Sequence, residues 1–565
     1  MEKKKIESKI ISLAQSVEEL KFIKKNTKKK IIFLPLNLSV QLYCIDKNIQ
    51  FYNPLTLVDN SFYNETLTCS KELIDTIEYK DLKVESHQKE FKAVLRFRFH
   101  TIAFIMKLIY QLKLLNKIDE MVISGWDRYY DQFSEKNYFV SRIVTNLIDD
   151  IKITTLSEIS YNDLSLNLQY KYTLDNSSLN INKDYVLLTN LGYNFFRIVL
   201  FLWKKKQKIL TPLFENINFF KKIVYRILGV KFLKLSKVHN KKKEDINLPV
   251  INFKYKGKDL SKTLNLRIEQ EKNNFINLAN KSRAIDNLFN RIRIKLVITN
   301  ATKGIIGFFI EAAYKLNITS ICIPHGTLTK SFNKYDAIYK QIIAEAVTSK
   351  NANYNVSQSN ISKNFFDTNK KKYNNIINSG NLIFSKKKEN RKKNKKILFA
   401  VTIKDLESIQ LVGVDMYYEF IENLYFLENF SKKYNFNILI KLHPAAYSEY
   451  QILKKIFKKL NFSTKKISRT FDSIFATLSF SSTVIEDSLN SKCPVILLDR
   501  SKKYKHCDAE ENVNKTNSAV YYVTNEEDLY KCLETIKKSE KIDFSKYVPQ
   551  RNYKYNINNF LSKFF

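Results

Sequence analysis

Two of the six histidines in this 565-residue sequence come directly after apolar runs of the kind that form buried parallel strands. His325 follows the run SICIP, and His443 follows the run NILIKL. Ligands of doubly wound sheets bind outside the carboxyl ends of the strands, so both histidines stand where a site would lie. The two strand ends are therefore candidate functional sites.

The turn that begins at His325 carries groups suited to an acceptor molecule. Gly326 lets the backbone turn tightly or approach a ligand closely. Thr327 and Lys330 add a hydroxyl and an ammonium group nearby. The imidazole would act as a general base toward an acceptor hydroxyl or as a cationic donor to a phosphate. The ordinary alternative is a histidine that only hydrogen-bonds its own strand end.

The turn at His443 suits an anion such as a diphosphate. Pro444 denies the strand a further ladder donor and fixes the direction in which the chain leaves. Lys441 lies on the same side of the strand as His443, because side chains alternate along a strand. Two potential donors thus converge on one spot, and a purely structural turn is the alternative.

The segment FSSTVIED, residues 480–487, joins an apolar strand to an amphipathic helix. The free N–H groups of the first helical turn, together with the hydroxyls of Ser481, Ser482 and Thr483, would bind a phosphate. Glu486 stands one turn into the helix and would accept hydrogen bonds from ribose hydroxyls. A capping box that merely starts the helix explains the same residues without a ligand.

Other motifs narrow the chemistry. The turn NSGN, residues 378–381, would bring Gly380 into the cleft between the two blocks of the fold, although residues of this type often form a turn that binds no ligand.

The sequence lacks GxxxxGK[ST], GxGxxG, HExxH, GxSxG and DxD, which sets P-loop and zincin chemistry aside. Metal-independent stabilisation of a leaving phosphate by histidine, lysine and a helix N-terminus stays feasible.

Strand and helix patterns alternate on both sides of a basic middle region, which predicts an α/β fold. In the N-terminal part, buried-strand patterns occupy 30–37 and 121–124, and Asp127 follows the second. One β-α-β unit covers 295–324, with Glu311 on its helix. Repeated β-α alternation from residue 397 onward demands a parallel sheet with helices on both faces.

Changes in composition divide the chain into four segments. Residues 1–150 and 261–385 are predicted to be the first and second parts of one N-terminal Rossmann-like domain. Residues 386–565 are predicted to form a C-terminal nucleotide-binding Rossmann-like domain. Residues 151–260 show no clean alternation, and we predict a helical, basic insertion there.

The 95 Lys and Arg residues outnumber the 56 Asp and Glu residues, giving a net charge of +39 that favours nucleic acid, an anionic membrane face or nucleotide phosphates. The apolar and basic stretches 185–203 and 219–235 suggest an interfacial anchor, because polar residues interrupt the first and argue against a transmembrane helix. A helical hairpin packed on a core is the alternative.

Isolated cysteines and a charged N-terminus without an apolar h-region indicate the cytoplasm. We expect a cytoplasmic protein, peripheral on the inner face of the cytoplasmic membrane.

Four segments, taken in order, resemble bacterial surface-polysaccharide glycosyltransferases of the GT-B fold: VITNATKGIIGFFIEAAYKLNITSICIPHGT, NSGNLIF, ILIKLHP and FSSTVIEDSLNSKCPVILLD. The relatives meant are capsule polysaccharide transferases, polysialyltransferases, 3-deoxy-manno-octulosonic acid transferases and CDP-glycerol glycerophosphotransferases. The likeness spans residues 295–500. It implies a GT-B-like α/β fold, in which two Rossmann-like domains face each other across a cleft and the C-terminal one holds most of the nucleotide.

The resemblance also implies roles for residues. His443 with Ser481, Ser482 and Thr483 would bind the phosphates or nucleotide of the donor. His325 would face the acceptor or the donor sugar. The catalytic base stays open among three residues, which are His325, Asp127 and Glu311.

We therefore expect a metal-independent glycosyltransferase for a surface polysaccharide or a lipid-linked glycan. Its nucleotide-sugar donor, with a CMP- or CDP-linked form favoured, is a substrate, and no cofactor is implied. A nucleotide-sugar epimerase of similar fold, acting without an acceptor, is one alternative. A basic nucleic-acid-binding protein is the other, but it would need aromatic residues interleaved with lysine on one strand face, and that pattern is not above background.

Overall fold

The computed structural model describes residues 9–565 with several gaps. The gaps are 80–81, 83, 128–138, 160–167, 176–178, 193–194, 214–216, 325–327, 374, 385–395, 401–414, 466, 468–469, 481 and 504, and only the backbone is described at 415–418, 445 and 472. Within the described residues the strands pair in three large sheets and one small hairpin.

The first sheet is parallel and has four strands in the order β2-β1-β3-β4. Its strands are β1 (Ile10–Ala14), β2 (Ile32–Pro35), β3 (Glu120–Ile123) and β4 (Lys152–Thr155). Its helices are α1 (Val17–Asn26), α2 (Leu38–Asp46), α3 (Asn60–Asp75), α4 (Glu85–Leu114) and α5 (Val140–Leu147). The 30-residue helix α4 is buried along most of its length and packs against both the first and the second sheet's helices.

The second sheet has eight strands in the order β14-β13-β12-β11-β6-β7-β8-β5. They are β5 (Tyr170–Leu174), β6 (Tyr185–Leu188), β7 (Ile209–Leu213), β8 (Val230–His239), β11 (Ile294–Thr299), β12 (Thr319–Cys322), β13 (Tyr354–Ser357) and β14 (Ile376–Asn378). All neighbours are parallel except β5, which pairs antiparallel with β8. The strand order reverses between β6 and β11, which is the switch point of a doubly wound sheet.

The helices along this part of the chain are α6 (Phe196–Lys204), α7 (Phe219–Ile227), α8 (Ser261–Gln270), α9 (Lys272–Arg291), α10 (Gly304–Lys315), α11 (Lys334–Val347) and α12 (Asn360–Thr368). A separate hairpin pairs β9 (Lys254–Tyr255) with β10 (Lys258–Asp259). Strands β6 and β11 are almost fully buried on both faces, as expected for a parallel sheet covered by helices.

The third sheet is parallel and has the order β17-β16-β15-β18-β19-β20. Its strands are β15 (Lys396–Ala400), β16 (Asn437–Lys441), β17 (Asn461–Ser463), β18 (Ile474–Ser479), β19 (Val495–Leu498) and β20 (Val520–Val523). Its helices are α13 (Asp415–Tyr434), α14 (Tyr450–Ile456), α15 (Val484–Asn490) and α16 (Glu526–Lys538), and the chain ends with α17 (Tyr553–Leu561). The order reverses between β15 and β18, so the α/β class with two Rossmann-like sheets is confirmed.

Two expectations about the organisation are corrected. Residues 151–260, for which the sequence predicts a helical insertion, supply β5 to β8 together with α6 and α7, and so build half of the second sheet. A short apolar run such as Tyr185–Leu188 suits a buried strand and a buried helix equally well, so its pattern could not decide between them. The strands of 1–150 pair with one another and with β4 in a separate sheet instead of joining those of 261–385.

The C-terminal helix α17 follows the third sheet along the chain but packs against the second sheet. Tyr553 N–H donates to the carbonyl of Phe384 at 3.2 Å. Ile557, Phe560 and Leu561 pack in one core with residues of β6, β11 and α6. Among the described residues, no helix is both long enough and apolar enough to cross a bilayer.

Candidate functional site

The carboxyl edge of the third sheet carries two of the predicted donor-binding groups. Lys441 and His443 stand at the end of β16, and Ser482 and Thr483 stand after β18. Strand β15 lies between β16 and β18, so the two groups flank one strand end, roughly 10 Å apart at the strand spacing of parallel sheets. This is the switch point at which doubly wound sheets bind ligands.

The local contacts hold the loop after β16 in place. Lys441 Nζ donates to the carbonyl of Leu442 at 2.7 Å and to the hydroxyl of Tyr447 at 3.1 Å. The N–H of Ala446 donates to the carbonyl of His443 at 2.9 Å, which starts a short 3-10 turn at Pro444. His443 is half-buried, and Lys441 keeps an exposed fraction from which its ammonium group can reach an anion.

At the start of α15, Ser482 is buried and its hydroxyl accepts from the N–H of Val484 at 3.3 Å. Thr483 is exposed and makes no side-chain cap. Glu486 accepts a hydrogen bond from the hydroxyl of Ser359, the residue that caps α12 after β13. Ser481 lies outside the described residues. The N-cap position of α15 is thus Thr483, while Ser482 accepts from the first helical residue without capping the helix, and Glu486 is engaged with the second sheet.

The contact of Glu486 with Ser359 belongs to a junction between the second and third sheets. Lys330 Nζ lies 2.8 Å from Asp508 Oδ1, which also joins the two parts. Buried Lys340 donates to the carbonyl of Lys330 at 2.6 Å and to the carbonyl of Lys505 at 3.0 Å. Because Ser359 and Lys330 follow strands of the second sheet and Glu486 follows β18, the carboxyl edges of the two sheets meet.

The predicted acceptor turn is described only in part. His325, Gly326 and Thr327 lie outside the described residues. The carbonyl of Pro324, directly before them, accepts from Nε2 of Gln358 at 2.8 Å. Gln358 follows β13, so the turn begins at the carboxyl edge of the second sheet, at the same junction.

Gly380 has a packing partner far along the chain. Its φ is +71°, and a Cβ there would lie 2.8 Å from Nδ2 of Asn556 in α17. The same Nδ2 donates to the carbonyl of Asn381 at 2.7 Å. Glycine therefore allows the turn after β14 to hold the C-terminal helix, which accounts for this residue without a ligand.

Asp127 lies at the carboxyl edge of the first sheet, after β3. The carboxyl group is buried, and its Oδ2 accepts from Nε and Nη2 of Arg142 at 3.0 and 2.8 Å. Fully buried Arg267 of α8 brings Nη1 to 3.9 Å from Oδ1. Two guanidinium groups thus neutralise the buried carboxylate, and this arrangement explains Asp127 as a link between α5 and α8.

Glu311 is buried in α10 and faces the side opposite the junction. Its Oε2 accepts from Nδ2 of Asn351 at 3.1 Å. Asn351 lies in the loop that leads into the amino end of β13, which begins at Tyr354. Burial, and then the negative charge of Glu85, raises the pKa of Glu311 to about 6. The contact with Asn351 places the carboxyl group toward the amino ends of the strands, whereas ligands of such sheets bind at the carboxyl ends.

The switch point of the second sheet holds four polar residues that the sequence interpretation did not select. The hydroxyl of Thr189 donates to Oγ1 of Thr299 at 3.0 Å, and Nδ2 of Asn190 donates to Oδ1 of Asn300 at 2.6 Å. These residues end β6 and β11, the two strands at which the order reverses. The signal in the sequence is a Thr-Asn step repeated directly after two apolar runs.

No family model and no curated protein sequence matches the chain. In structure it is similar to the UDP-GlcNAc 2-epimerase of Methanocaldococcus jannaschii, with 14% identity, 67% of this chain and 99% of that chain covered, and a TM-score of 0.40. It is also similar to the UDP-GlcNAc 2-epimerase of Neisseria meningitidis, solved bound to UDP-GlcNAc, with 12% identity, 67% and 99% coverage and a TM-score of 0.40. Alr3699/HepE of Anabaena, solved with UDP and glucose, has 10% identity, 67% and 98% coverage and a TM-score of 0.36. Likeness at this level supports no inference about activity.

Proposed function

We propose that the protein is a glycosyltransferase that moves a sugar from a nucleotide-activated donor to a surface polysaccharide or a lipid-linked glycan. The observation that carries the proposal is the meeting of the carboxyl edges of two Rossmann-like sheets, through Glu486 with Ser359 and Lys330 with Asp508. Ligands of doubly wound sheets bind at such edges, so a donor on one sheet and an acceptor on the other would share one space.

The donor belongs to the third sheet in this proposal. Lys441 and His443 would stabilise the departing phosphate, and the exposed hydroxyl of Thr483 would hydrogen-bond it from the other side of β15. The bond from the anomeric carbon to the phosphate oxygen breaks as the acceptor oxygen bonds to the same carbon. We favour a CMP- or CDP-linked sugar, on the resemblance to surface-polysaccharide transferases.

The acceptor hydroxyl must lose its proton to a base. Among the three candidate bases, Asp127 is held by Arg142 and Arg267, and Glu311 accepts a hydrogen bond from Asn351 near the amino ends of the strands. His325 comes directly after Pro324, whose carbonyl accepts from Gln358 after β13. We therefore propose His325 as the base. Asn190 and Asn300, at the switch point of the second sheet, would hydrogen-bond sugar hydroxyls.

The first test is a thermal-shift panel with CMP, CDP, UDP, GDP and ADP. A nucleotide that binds only the folded protein stabilises it by about 2.7 kcal/mol at one hundred times its Kd. We expect one nucleotide to raise the Tm of the wild type and of His239→Ala, and to leave that of His443→Ala unchanged. His239 is the control because it is an exposed histidine at the end of β8.

A nucleotide that shifts His443→Ala as much as the wild type would contradict the donor site. Donor turnover then separates a transferase from an epimerase. A transferase consumes the activated donor only when an acceptor is present, whereas conversion of the donor sugar without any acceptor would indicate an epimerase.

A further inference from the structure

Helix α7 turns an apolar face away from the protein core, the reverse of an ordinary surface helix. Phe219, Phe220 and Ile227 are 70%, 76% and 72% exposed, and Ile223 and Val224 are 37% and 45% exposed. We call these five residues the α7 face. Their positions lie three and four apart, so they share one side of the helix. Clustered exposed apolar side chains of this size mark an interaction surface.

The orientation of α7 is fixed from the opposite side. Tyr225 is the buried residue of the helix, and its ring lies 5.9 Å from that of Phe196 in α6. Its hydroxyl donates to the carbonyl of Leu191 at 3.4 Å. The side chain of Asn218 caps the helix by accepting from the N–H of Phe220 at 3.0 Å. Because these contacts hold the Tyr225 side of the helix against the protein, the opposite side, which is the α7 face, points to solvent.

Positive charge surrounds the α7 face. Lys221 and Arg226 are exposed on the helix itself. Residues 196–238 contain 11 Lys and Arg and a single acidic residue. Strand register brings three lysines together at the amino ends of β6 to β8, namely Lys183, Lys208 and Lys231, beside the end of α7. The neighbouring ammonium group of Lys183, then burial and the charge of Lys231, lower the pKa of Lys208.

We propose that the α7 face docks on the surface of an anionic lipid bilayer. The phenylalanine and isoleucine side chains enter the boundary between headgroups and acyl chains, and the surrounding lysines and arginines pair with lipid phosphates. Charge decides between this partner and a second copy of the chain, because a symmetric dimer through α7 would bring two strongly positive regions together. The inference does not rest on the proposed transferase activity.

The test is co-sedimentation of the full-length protein with vesicles of phosphatidylcholine alone or with roughly 30% phosphatidylglycerol. We expect binding to the anionic vesicles that weakens as salt rises from about 0.1 M to about 1 M. Phe220→Ser with Ile227→Ser should lower the partition coefficient by about tenfold or more, because two large apolar side chains leave the bilayer. Lys221→Gln with Arg226→Gln should cost about tenfold on anionic vesicles only.

The matched control is Tyr110→Ser with Leu114→Ser in α4, where the two side chains are 57% and 62% exposed. This variant should bind vesicles as the wild type does. Wild-type protein that stays in the supernatant with anionic vesicles would overturn the proposal, as would equal losses in the α7 and α4 variants. A wild-type dimer that Phe220→Ser with Ile227→Ser converts to a monomer would assign the face to a second copy instead.

Discussion

At the scale of the residue, the stability of the folded protein depends on the ionisation of the Glu19 carboxyl group. It is buried at the start of α1, where Oε2 accepts from the N–H of Gln15 at 2.7 Å and Oε1 accepts from the hydroxyl of Ser124 at 2.6 Å. Burial raises its pKa to about 7, against the lowering effect of these hydrogen bonds. The unfolded chain ionises this carboxyl near pH 4.5, so the folded state loses stability as the pH rises through about 7.

The loss amounts to roughly 3 kcal/mol between pH 4.5 and pH 8. We expect Glu19→Gln to flatten this part of the pH dependence, because an amide does not titrate. Urea unfolding at several pH values measures the slope, and Glu18→Gln is the control, since Glu18 is the exposed neighbour. An unchanged slope in Glu19→Gln would assign the pH dependence to other groups.

At the scale of the element, the turn after β14 depends on Gly380. Its positive φ and the 2.8 Å approach of Asn556 leave no room for a side chain. We expect Gly380→Ala to cost roughly 1–3 kcal/mol, because backbone strain adds to displacement of Asn556. The free energy of unfolding in urea measures the cost.

The control for Gly380→Ala separates strain from crowding. Gly257 also has a positive φ, of +77°, but nothing lies within 4 Å of a Cβ built there. Gly257→Ala therefore carries the backbone strain alone and should cost less than Gly380→Ala. Equal costs would show that the contact with Asn556 contributes nothing.

At the scale of the whole molecule, α17 binds the C-terminal end of the chain to the second sheet. Phe560 is 1% exposed and belongs to the core of β6, β11 and α6. Phe560→Ala should cost about 3–5 kcal/mol, as a large cavity in a packed core does. Because the cavity lies on the second sheet, hydrogen exchange should accelerate in β6 and β11.

Tyr555 supplies the control on the same helix, since it is 54% exposed. Tyr555→Ala should leave exchange in the second sheet unchanged. Faster exchange confined to β15, β18 and β19 in Phe560→Ala would contradict the assignment of α17 to the second sheet.

The pattern of the sequence located several strand ends that carry candidate residues. The sequence predicts strands at 437–442 and 474–480, and the structure has β16 at Asn437–Lys441 and β18 at Ile474–Ser479. Lys441, His443, Ser482 and Thr483 consequently stand at the carboxyl edge of the third sheet, as expected. Their roles in binding a donor stay a prediction, and so does the role of His325, which lies outside the described residues.

Contacts between distant parts of the chain could not be derived in the same way. The sequence does not indicate that Gly380 meets Asn556, that Asp127 meets Arg267, or that Glu486 meets Ser359. Each pair joins residues from different elements, and the partner depends on how those elements pack. Local pattern carries no information on that packing.

The sequence by itself determined the α/β class, the strand ends at the third sheet and the apolar, basic character of residues 219–235. It did so because apolar periodicity and turn residues report local burial. Only the tertiary structure decided that β5 to β8 complete the second sheet, that β1 to β4 form a separate one, and that the apolar side of α7 faces outward. Strand pairing and helix orientation depend on contacts between segments far apart in the chain, and burial patterns do not specify those contacts.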